Sequence, residues 1–453
     1  MKTQLARIEK SYDAIQRQFN VQLGAIELAR ATQFYTNRDR PVHRWFHFKE
    51  GFAADLLTAL QVDTSRLGNE DTFFLDPFCG SGTSLLAGDL QYGWRAQRIG
   101  LDINPFLCFV ARTKANWRKY DPNQFNRLVG EFLAEPLRRD LSPKIWPALS
   151  TFHNPEMFSS HRVSALVDAV ARIGKIPEAE RDLLLLGVAA AAEKLGFYRK
   201  DGRGLRLLRT VGELQQRKYV RVESVLRNIW ATYESDLRSL QAQPIPLIEN
   251  CTVLCSDGCR IDLEAQMPVN PGQASLIAYS PPYLNHIDYT EVYKIELWLL
   301  GFVTNRKEML ELRKRTLRSH ASTSFKSTGK FLPKNVRSIV EIAASEIAAS
   351  GTAWHQRFQD TAFGYFEDMH QSFSRQFELL RPGCQAICIV ANSAHGSGDS
   401  RIPIATDLLL AVIAADIGFE VEKLIIARQM RRRDHLNRFL RETVIVLKRP
   451  VMV

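Results

Sequence analysis

Short apolar segments alternate with helical patterns along most of the chain, and this alternation strongly constrains the fold. Helical patterns such as 82–93, 363–380 and 403–417 separate most of the segments. Such alternation predicts a mostly parallel sheet with helices on both faces. The last two segments are joined by a short basic loop, so we expect an antiparallel hairpin at the sheet edge. The predicted strands are 71–78, 96–103, 274–280, 384–392, 419–427 and 441–448.

Two long segments exceed what this sheet requires, and we interpret them as insertions. Residues 115–245 read as almost wholly helical, whereas 303–360 are polar and basic and then rich in alanine. The rest of the chain supplies one α/β domain, preceded by a helical segment at 1–40. The predicted parts of that domain are residues 41–114, 246–302 and 361–453.

Composition is ordinary for a soluble globular protein, with 45% hydrophobic and 24% charged residues. No apolar run is long enough to span a membrane, and the charged N-terminus has no signal-peptide core. Seven cysteines, mostly in apolar segments, indicate free buried thiols in a reducing cytoplasm. Cys251, Cys255 and Cys259 repeat every four residues, but strand burial explains them better than a metal site. We therefore expect no metal.

Positive charge is concentrated in one segment. The net charge is +11, and residues 303–340 carry ten Lys or Arg against two Glu. Such a segment is either a solvated face or a surface that contacts phosphates.

The segment "LDPFCGSGTSLLAG" (75–88) combines a strand, a glycine turn and a helix. Gly80 and Gly82 permit a tight turn and close approach of a ligand. Thr83 begins a helix whose first N–H groups face that ligand. The turn lacks the Walker lysine and the full dinucleotide fingerprint, which disfavours triphosphates and nicotinamide cofactors. Asp76 at the strand tip suits a positively charged cofactor better than a phosphate.

Two further acids follow predicted strands. Asp102 ends the second strand, where an acid typically accepts hydrogen bonds from ribose hydroxyls, although it could also be a helix N-cap. Asp257 follows a short strand within "VLCSDGCRIDL" (253–263) and could cap a turn or bind an adenine amino group.

The predicted strand 274–280 ends in Ser280-Pro281-Pro282-Tyr283. Proline cannot continue a sheet ladder, so the strand must stop at this point and the following loop is rigid. Open α/β sheets bind their ligands at the carboxyl ends of their strands. We therefore expect Ser280 and the loop after it to lie at a binding site.

These motifs together resemble the amino-methylating DNA methyltransferases that use S-adenosylmethionine. The resemblance rests on "DPFCGSGT", the acid at Asp102, "SDGCR" and "SPPY", and it implies a Rossmann-like methyltransferase sheet that carries helical insertions. It also implies that the glycine loop with Phe78 holds the methionine end of the cofactor, while Asp102 binds ribose and Asp257 binds adenine. Phe48 and Phe52, in a segment that resembles the family's cofactor-flanking segment, either pack on the cofactor or belong to the core.

The resemblance identifies Ser280–Tyr283 as the catalytic loop, in the form typical of cytosine-N4 enzymes. An exocyclic amine is a poor nucleophile because its lone pair is delocalised into the base. Ser280 Oγ and the Pro281 carbonyl are expected to accept its two hydrogens, with Pro281 and Pro282 fixing the geometry. Tyr283 offers a face for a flipped cytosine. His286 and Asp288 could position the base, relay a proton or act as simple caps.

The implied partner is duplex DNA, in a restriction-modification or related defence system with a cognate restriction enzyme. We expect recognition of the DNA sequence to lie in 115–245, in 303–360 or in both. The basic segment 303–360 is the candidate recognition segment. The alternatives are an adenine-N6 DNA enzyme, an RNA amino-group methyltransferase and a non-catalytic DNA-binding subunit. The predicted DNA contacts are Arg313, Lys314, Arg315, Arg203 and Arg206.

Overall fold

The computed structural model describes one large sheet with helices on both faces. It describes residues 2–49, 51–202, 204–243, 250–267, 269–349, 356–396, 401–430 and 437–451. The strands are β1 (Val21–Leu23), β2 (Phe73–Asp76), β3 (Gln97–Asp102), β4 (Tyr198–Asp201), β5 (Gly204–Leu207), β6 (Cys251–Cys255), β7 (Ala274–Tyr279), β8 (Leu380–Ala391), β9 (Ser393–His395), β10 (Ile402–Ile404), β11 (Glu420–Gln429) and β12 (Arg441–Lys448).

The helices of the described residues vary from one turn to six. They are α1 (Lys2–Gln16), α2 (Ile26–Ala31), α3 (Leu56–Ala59), α4 (Thr83–Leu90), α5 (Pro105–Ala115), α6 (Pro122–Ala134), α7 (Ser160–Ile173), α8 (Glu180–Leu195), α9 (Val211–Lys218), α10 (Val222–Gln241), α11 (Tyr289–Val292), α12 (Lys294–Leu299), α13 (Arg306–Arg315), α14 (Lys334–Ala348), α15 (Phe358–Leu379) and α16 (Thr406–Ile417). Short 3-10 helices occupy Phe34–Asp39, His43–Trp45, Ser65–Gly68, Trp117–Lys119, Pro143–Ile145 and Ser150–His153.

The main sheet has eight strands in the order β1-β11-β12-β8-β7-β2-β3-β6. Strands β8, β7, β2, β3 and β6 run parallel to one another, and β12 runs antiparallel to both β8 and β11. This confirms the predicted fold class, a mostly parallel Rossmann-like sheet with an antiparallel hairpin. The hairpin does not form the outermost edge, however, because β1 pairs in parallel with β11 beyond it. The N-terminal segment is therefore not wholly helical.

The central strands are buried on both faces. Leu75 and Ile277 join one apolar cluster, with α14, α15 and α16, while their neighbours Phe74 and Leu276 join a second cluster on the opposite face. Successive side chains of a strand point to opposite faces, so an apolar run is what a doubly covered sheet requires. The parallel strands thus carry their carboxyl ends to one common edge.

The described part of 115–245 forms a third apolar cluster around α8. This helix is apolar on nearly all sides and packs against α6, α7 and α10. The segment is not wholly helical, however, because it contains a hairpin in which β4 pairs antiparallel with β5. Arg206 lies exposed on β5, whereas Arg203 lies outside the described residues.

The basic segment that follows α12 divides into two different helices. In α13 only Met309 and Leu312 are buried, so most of this helix faces solvent. In contrast, α14 buries its apolar side, including Val336 and Ile347, against α1 and α15. Between residues 303 and 349, the chain therefore contains an exposed basic helix, α13, and a helix packed into the core, α14.

All seven cysteines are free, as expected from the sequence. The expectation of burial is wrong for Cys255, whose side chain is exposed at the end of β6. Its position at the last residue of an edge strand leaves it uncovered. Within the described ranges, no helix is long and apolar enough to cross a membrane.

Candidate active site

A cavity lies at the carboxyl edge of the sheet, where β2, β3, β6 and β7 end. We call it the first cavity. Its walls come from loops that are far apart in sequence and that the parallel strands bring together. Of the residues predicted from the sequence, it is lined by Phe48, Phe78, Gly80, Asp102, Asp257, Arg315, Ser280 and Pro282.

The glycine turn after β2 needs both of its glycines, for different reasons. Gly80 has φ of +51°, and a Cβ there would lie 2.9 Å from Cζ of Phe48. Gly82 has φ of +78°, and a Cβ there would lie 3.1 Å from Cβ of Ala111 on α5. Gly80 therefore allows the Phe48 ring to close one wall of the first cavity, whereas Gly82 allows α4 to pack on α5.

Asp76 does not face the first cavity, contrary to the prediction from the sequence. Its carboxylate accepts hydrogen bonds from Ser84 Oγ and from the Phe78 backbone N–H, the latter at 3.1 Å. The side chain is buried, and burial raises its pKa to about 7. Asp76 therefore fixes the glycine turn from below, and its partner Ser84 is the second residue of the helix that follows the turn.

Asp102 faces the first cavity and ties two loops together. Its Oδ2 accepts from the Gly80 N–H at 3.0 Å, and its Oδ1 accepts from the Asn104 N–H at 2.8 Å. Burial raises its pKa to about 6. The N-cap of α5 is Asn104, whose side chain accepts from Phe106 and Leu107, so the alternative of Asp102 as N-cap is wrong. Each carboxylate oxygen keeps a further lone pair for a ligand hydroxyl.

Asp257 closes a turn and also lies at the wall of the first cavity. Its Oδ1 accepts from the Cys259 N–H at 2.8 Å, which closes the turn after β6. The residue also lines the first cavity. Gly258 next to it lies against the backbone carbonyl of Pro77, where a Cβ would overlap the oxygen. This close approach joins the turn that contains Asp257 to the loop that follows β2.

Three aromatic rings form one side of the first cavity. Phe48 stacks on Tyr293, with ring centroids 5.8 Å apart and planes inclined by 7°, and on Tyr289, at 6.0 Å and 13°. Tyr289 lines the cavity and Tyr293 is buried behind it. Phe52 packs instead against the apolar cluster that contains Leu28 on the other face of the sheet. Of the two predicted aromatic contacts, only Phe48 therefore reaches the cavity.

The loop Ser280–Tyr283 separates the first cavity from a second cavity of about 430 Å³. Ser280 and Pro282 face the first cavity, and Tyr283 faces the second. Phe48 lines both cavities, so it forms part of the wall between them. The second cavity is also lined by Lys49, Arg428 and Glu442.

The hydroxyl groups of the loop are hydrogen-bonded within the protein. Ser280 Oγ lies 3.3 Å from the Ile389 carbonyl oxygen and 3.1 Å from Tyr283 Oη, and its hydrogen can point to either. Tyr283 Oη donates to Glu442 Oε1 at 3.1 Å. Because the serine hydrogen is used within the protein, the oxygen keeps lone pairs that can accept from a ligand amine.

Arg313, predicted to contact DNA, is bound to carboxylates behind the loop. Its Nε lies 2.9 Å from Asp288 Oδ2, and its guanidinium also pairs with Glu291. Asp288 is the N-cap of α11, where it accepts from the Thr290 N–H at 2.9 Å. These contacts correct the assignment of Arg313 to a phosphate surface.

The other predicted positions near the loop divide between surface and interior. Lys314 is exposed and pairs with Glu311 at 2.8 Å, whereas Arg315 lines the first cavity. His286 lies apart from both cavities, with its Nε2 2.9 Å from Nδ1 of His395.

Sequence reasoning missed several polar residues at this edge. Asn104 and His320 line the first cavity, and Arg428 and Glu442 line the second. Glu442 left a signal in the sequence, since it is an acid two residues before the apolar run Val444–Leu447. Nothing in the local sequence around His320 indicates that it lies near this site.

The strand order and the site at the carboxyl ends of the parallel strands define a Rossmann-like methyltransferase sheet. The chain is 25% identical over 446 residues to the Type II methyltransferase M.BsoBI of Geobacillus stearothermophilus, covering 88% of this chain and 82% of that protein. It is 24% identical over 450 residues to the Type II methyltransferase M.AvaI of a Nostoc species, covering 92% and 88%.

Two other comparisons contribute less. No protein-family model matches the chain. Among solved structures, the rRNA methyltransferase aviRa of Streptomyces viridochromogenes aligns with 91% of this chain and 92% of its own, at 9% identity and a TM-score of 0.30. A superposition at that score supports no inference about fold or activity.

Proposed function

We propose that the protein transfers a methyl group from S-adenosylmethionine to the N4 amino group of cytosine in duplex DNA. The observation that carries the proposal is the position of the Ser280–Tyr283 loop between the two cavities, with Ser280 lining the first and Tyr283 the second. The hydroxyl hydrogen of Ser280 points into the protein, toward Ile389 or Tyr283. Its lone pairs are therefore available to an amine that enters from the second cavity.

The first cavity suits this cofactor in chemistry. Asp102 and Asp257 offer carboxylate acceptors for ribose hydroxyls and an adenine amine, and the rings of Phe48 and Tyr289 offer an apolar wall. The cofactor, when bound, supplies an electrophilic methyl group on a sulfonium. Asp76 takes no direct part, because it is hydrogen-bonded below the glycine turn. We propose no role for a metal, and the described residues include no group of three or more His, Cys, Asp or Glu side chains placed to hold one.

The loop supplies the acceptors that an amine needs to become a nucleophile. Ser280 Oγ accepts one amine hydrogen, and the Pro281 carbonyl accepts the other, which draws the nitrogen toward tetrahedral geometry. Pro281 and Pro282 fix these acceptors before the base arrives. The flipped cytosine occupies the second cavity beside Tyr283, and Phe48 separates it from the adenosine moiety.

DNA is the proposed substrate because the relatives that align with nearly the whole chain are Type II methyltransferases. The same similarity supports a role in restriction and modification, beside a cognate restriction enzyme. Lys314 and Arg206, which are exposed, remain the proposed phosphate contacts. Arg315 lines the first cavity and is better placed to act near the cofactor.

The test is tritium-methyl transfer to duplex DNA and to total RNA, with the product nucleoside identified by mass spectrometry. We expect N4-methylcytosine in DNA and none of it in RNA. The matched variant is Ser280→Ala, which removes one amine acceptor and should lower turnover without changing cofactor affinity. N6-methyladenine or 5-methylcytosine would refute the assigned base. Methylated RNA with unmodified DNA would refute the assigned substrate.

A further inference from the structure

A chain of hydrogen-bonding groups leads from the loop to a buried acid. Ser280 Oγ lies 3.1 Å from Tyr283 Oη, and Tyr283 Oη lies 3.1 Å from Glu442 Oε1. The other carboxylate oxygen of Glu442 accepts from Arg428 Nε at 2.7 Å. The chain thus joins the oxygen that faces the first cavity to a carboxylate in the second.

The fold places Glu442 at this point at an energetic cost. It is the second residue of β12, where it pairs in register with Ala391 of β8 and Arg428 of β11. Only 3% of its side chain is exposed. A buried carboxylate is costly to desolvate, and even one that is paired, as Glu442 is with Arg428, can often be replaced by an apolar residue without loss of stability. The acid therefore calls for an explanation beyond packing.

Methylation of an amine releases a proton, and a series of hydrogen-bonding groups can carry that proton away. The nitrogen lone pair forms the new N–C bond, and the C–S bond breaks with its electron pair left on sulfur. The methylated nitrogen then carries one proton too many, and that proton must reach a base. Ser280 lies beside the nitrogen in the proposed function, but a serine hydroxyl is too weak a base to retain a proton.

We propose that Glu442 accepts this proton through the hydroxyls of Ser280 and Tyr283. Ser280 Oγ takes the proton from N4 and passes its own to Tyr283 Oη, which passes its own to Glu442 Oε1. The amine becomes neutral N4-methylcytosine, both hydroxyls are restored, and the carboxylate becomes a carboxylic acid. Glu442 acts through other residues, so it is a positioning residue rather than a catalytic one. This inference rests on the proposed function.

The positions of Ser280 and Glu442 allow the proton to enter this route at one end and to leave it at the other. The Ser280 hydrogen can turn from the Ile389 carbonyl to Tyr283 Oη without moving the chain, because both acceptors lie within hydrogen-bond distance. Tyr283 and Glu442 both line the second cavity. A proton on Glu442 can therefore pass to water there once the product base has left.

The first variant is Glu442→Gln, which keeps the shape and an acceptor oxygen but cannot take up a proton. We expect kcat for methyl transfer to fall about a hundredfold, since general-base assistance typically contributes 10²–10⁴. The KM for DNA and the affinity for S-adenosylmethionine should change less than about twofold. The matched control is Glu422→Gln, on the same strand pair but at its other end, beside Lys448. It should leave all three constants unchanged.

The second variant is Tyr283→Phe, which keeps the ring and removes the middle hydroxyl. It should lower kcat by about as much as Glu442→Gln, and the double variant should be no slower than either single one. If the two residues acted independently, the fold-reductions in kcat of the single variants would instead multiply in the double variant. If Glu442→Gln fails to fold, Tyr283→Phe carries the test. Chemical rescue separates proton transfer from packing. Formate should restore activity to Glu442→Ala, whereas chloride at equal ionic strength should not.

The outcomes distinguish this inference from the function on which it rests. If the unmodified protein forms no N4-methylcytosine, the proposed function and the relay both fail. If the product forms and Glu442→Gln keeps its kcat, only the relay is overturned. A raised KM for DNA at unchanged kcat would assign Glu442 to base recognition and likewise overturn the relay. Loss of activity without formate rescue, or multiplicative losses, would assign the residue to packing.

Discussion

Replacement of Arg313 by glutamine should destabilise the fold rather than weaken DNA binding. The guanidinium pairs with Asp288 at 2.9 Å and with Glu291, and it donates to Thr290 Oγ1 at 3.1 Å. Its side chain is 17% exposed and that of Asp288 is 6% exposed. Glutamine removes the positive charge and leaves the Asp288 carboxylate buried beside a neutral group.

The expected magnitude follows from this burial. Loss of one partner from a fully buried ion pair costs roughly 3–5 kcal/mol, because the other charge is left uncompensated. Glu291 is 34% exposed, and Arg313 is not fully covered, so solvent screens part of the loss. We therefore expect the free energy of unfolding to fall by about 2–3 kcal/mol.

The chain offers a matched control one residue away. Lys314 is 52% exposed and its partner Glu311 is 56% exposed. An exposed pair of this kind contributes about 0–1 kcal/mol, so Lys314→Gln should leave stability nearly unchanged. If Lys314 contacts a DNA phosphate, its variant should instead lower the slope of log affinity against log salt by about one unit.

The assay combines urea unfolding, followed by tryptophan fluorescence, with DNA binding at several salt concentrations. Arg313→Gln should shift the unfolding midpoint and leave the salt slope unchanged where the protein is folded. Lys314→Gln should do the reverse. Equal unfolding midpoints for the two variants, with a flatter salt slope for Arg313→Gln, would show that Arg313 contacts phosphate and would refute the ion-pair argument.

Three further predictions concern the cavities. Burial raises the pKa of Asp76 to about 7, so the folded state binds this proton more tightly than the unfolded state and stability is lost as pH rises from about 4 to 7. Asp76→Asn should flatten that part of the stability curve by up to about 4 kcal/mol, as measured by urea unfolding across this range. The Cβ of Gly258→Ala would overlap a backbone carbonyl, so this variant should lose the cofactor binding that is measured by calorimetry. Its control is Gly130→Ala, in an open helical position, which should stabilise the protein by about 0.5–1 kcal/mol. Phe48→Leu should weaken both cofactor and DNA binding about two- to tenfold in titrations, whereas Phe52→Leu, at a residue that lines neither cavity, should leave them unchanged.

The parts of the site that the sequence predicted are those that follow from sheet topology. Asp102, Asp257 and Ser280 each end or follow a strand, and parallel strands bring such positions to one edge whatever the connections between them. The sequence did not predict the role of Asp76, because the same position at a strand end can face a ligand or a loop. The hydrogen bond to Ser84 decides this, and it depends on how α4 turns away from the sheet.

The positions that the sequence placed wrongly depend on contacts between distant segments. Arg313 lies in a basic run, and only the packing of α13 beside α11 supplies the acids that pair with it. Likewise, β1 is three residues long and mostly exposed, so its pairing with β11 left no pattern in the sequence. In both cases the residues that decide the structure lie in another segment of the chain, namely the acids near α11 for Arg313 and strand β11 for β1. The local sequence does not reveal such a distant partner.

The antiparallel strand explains why Glu442 was harder to find than Ser280. A search for ligand-binding residues looks just after a strand, because parallel strands bring their carboxyl ends to the site. Strand β12 runs the other way between β8 and β11, and Glu442 near its start pairs with Ala391 at the end of β8. Its amino end therefore reaches the edge where the parallel strands finish. In an antiparallel strand within such a sheet, the residues at the beginning of the strand lie at the ligand-binding edge. A buried acid there is as good a candidate for a site residue as an acid that follows a parallel strand.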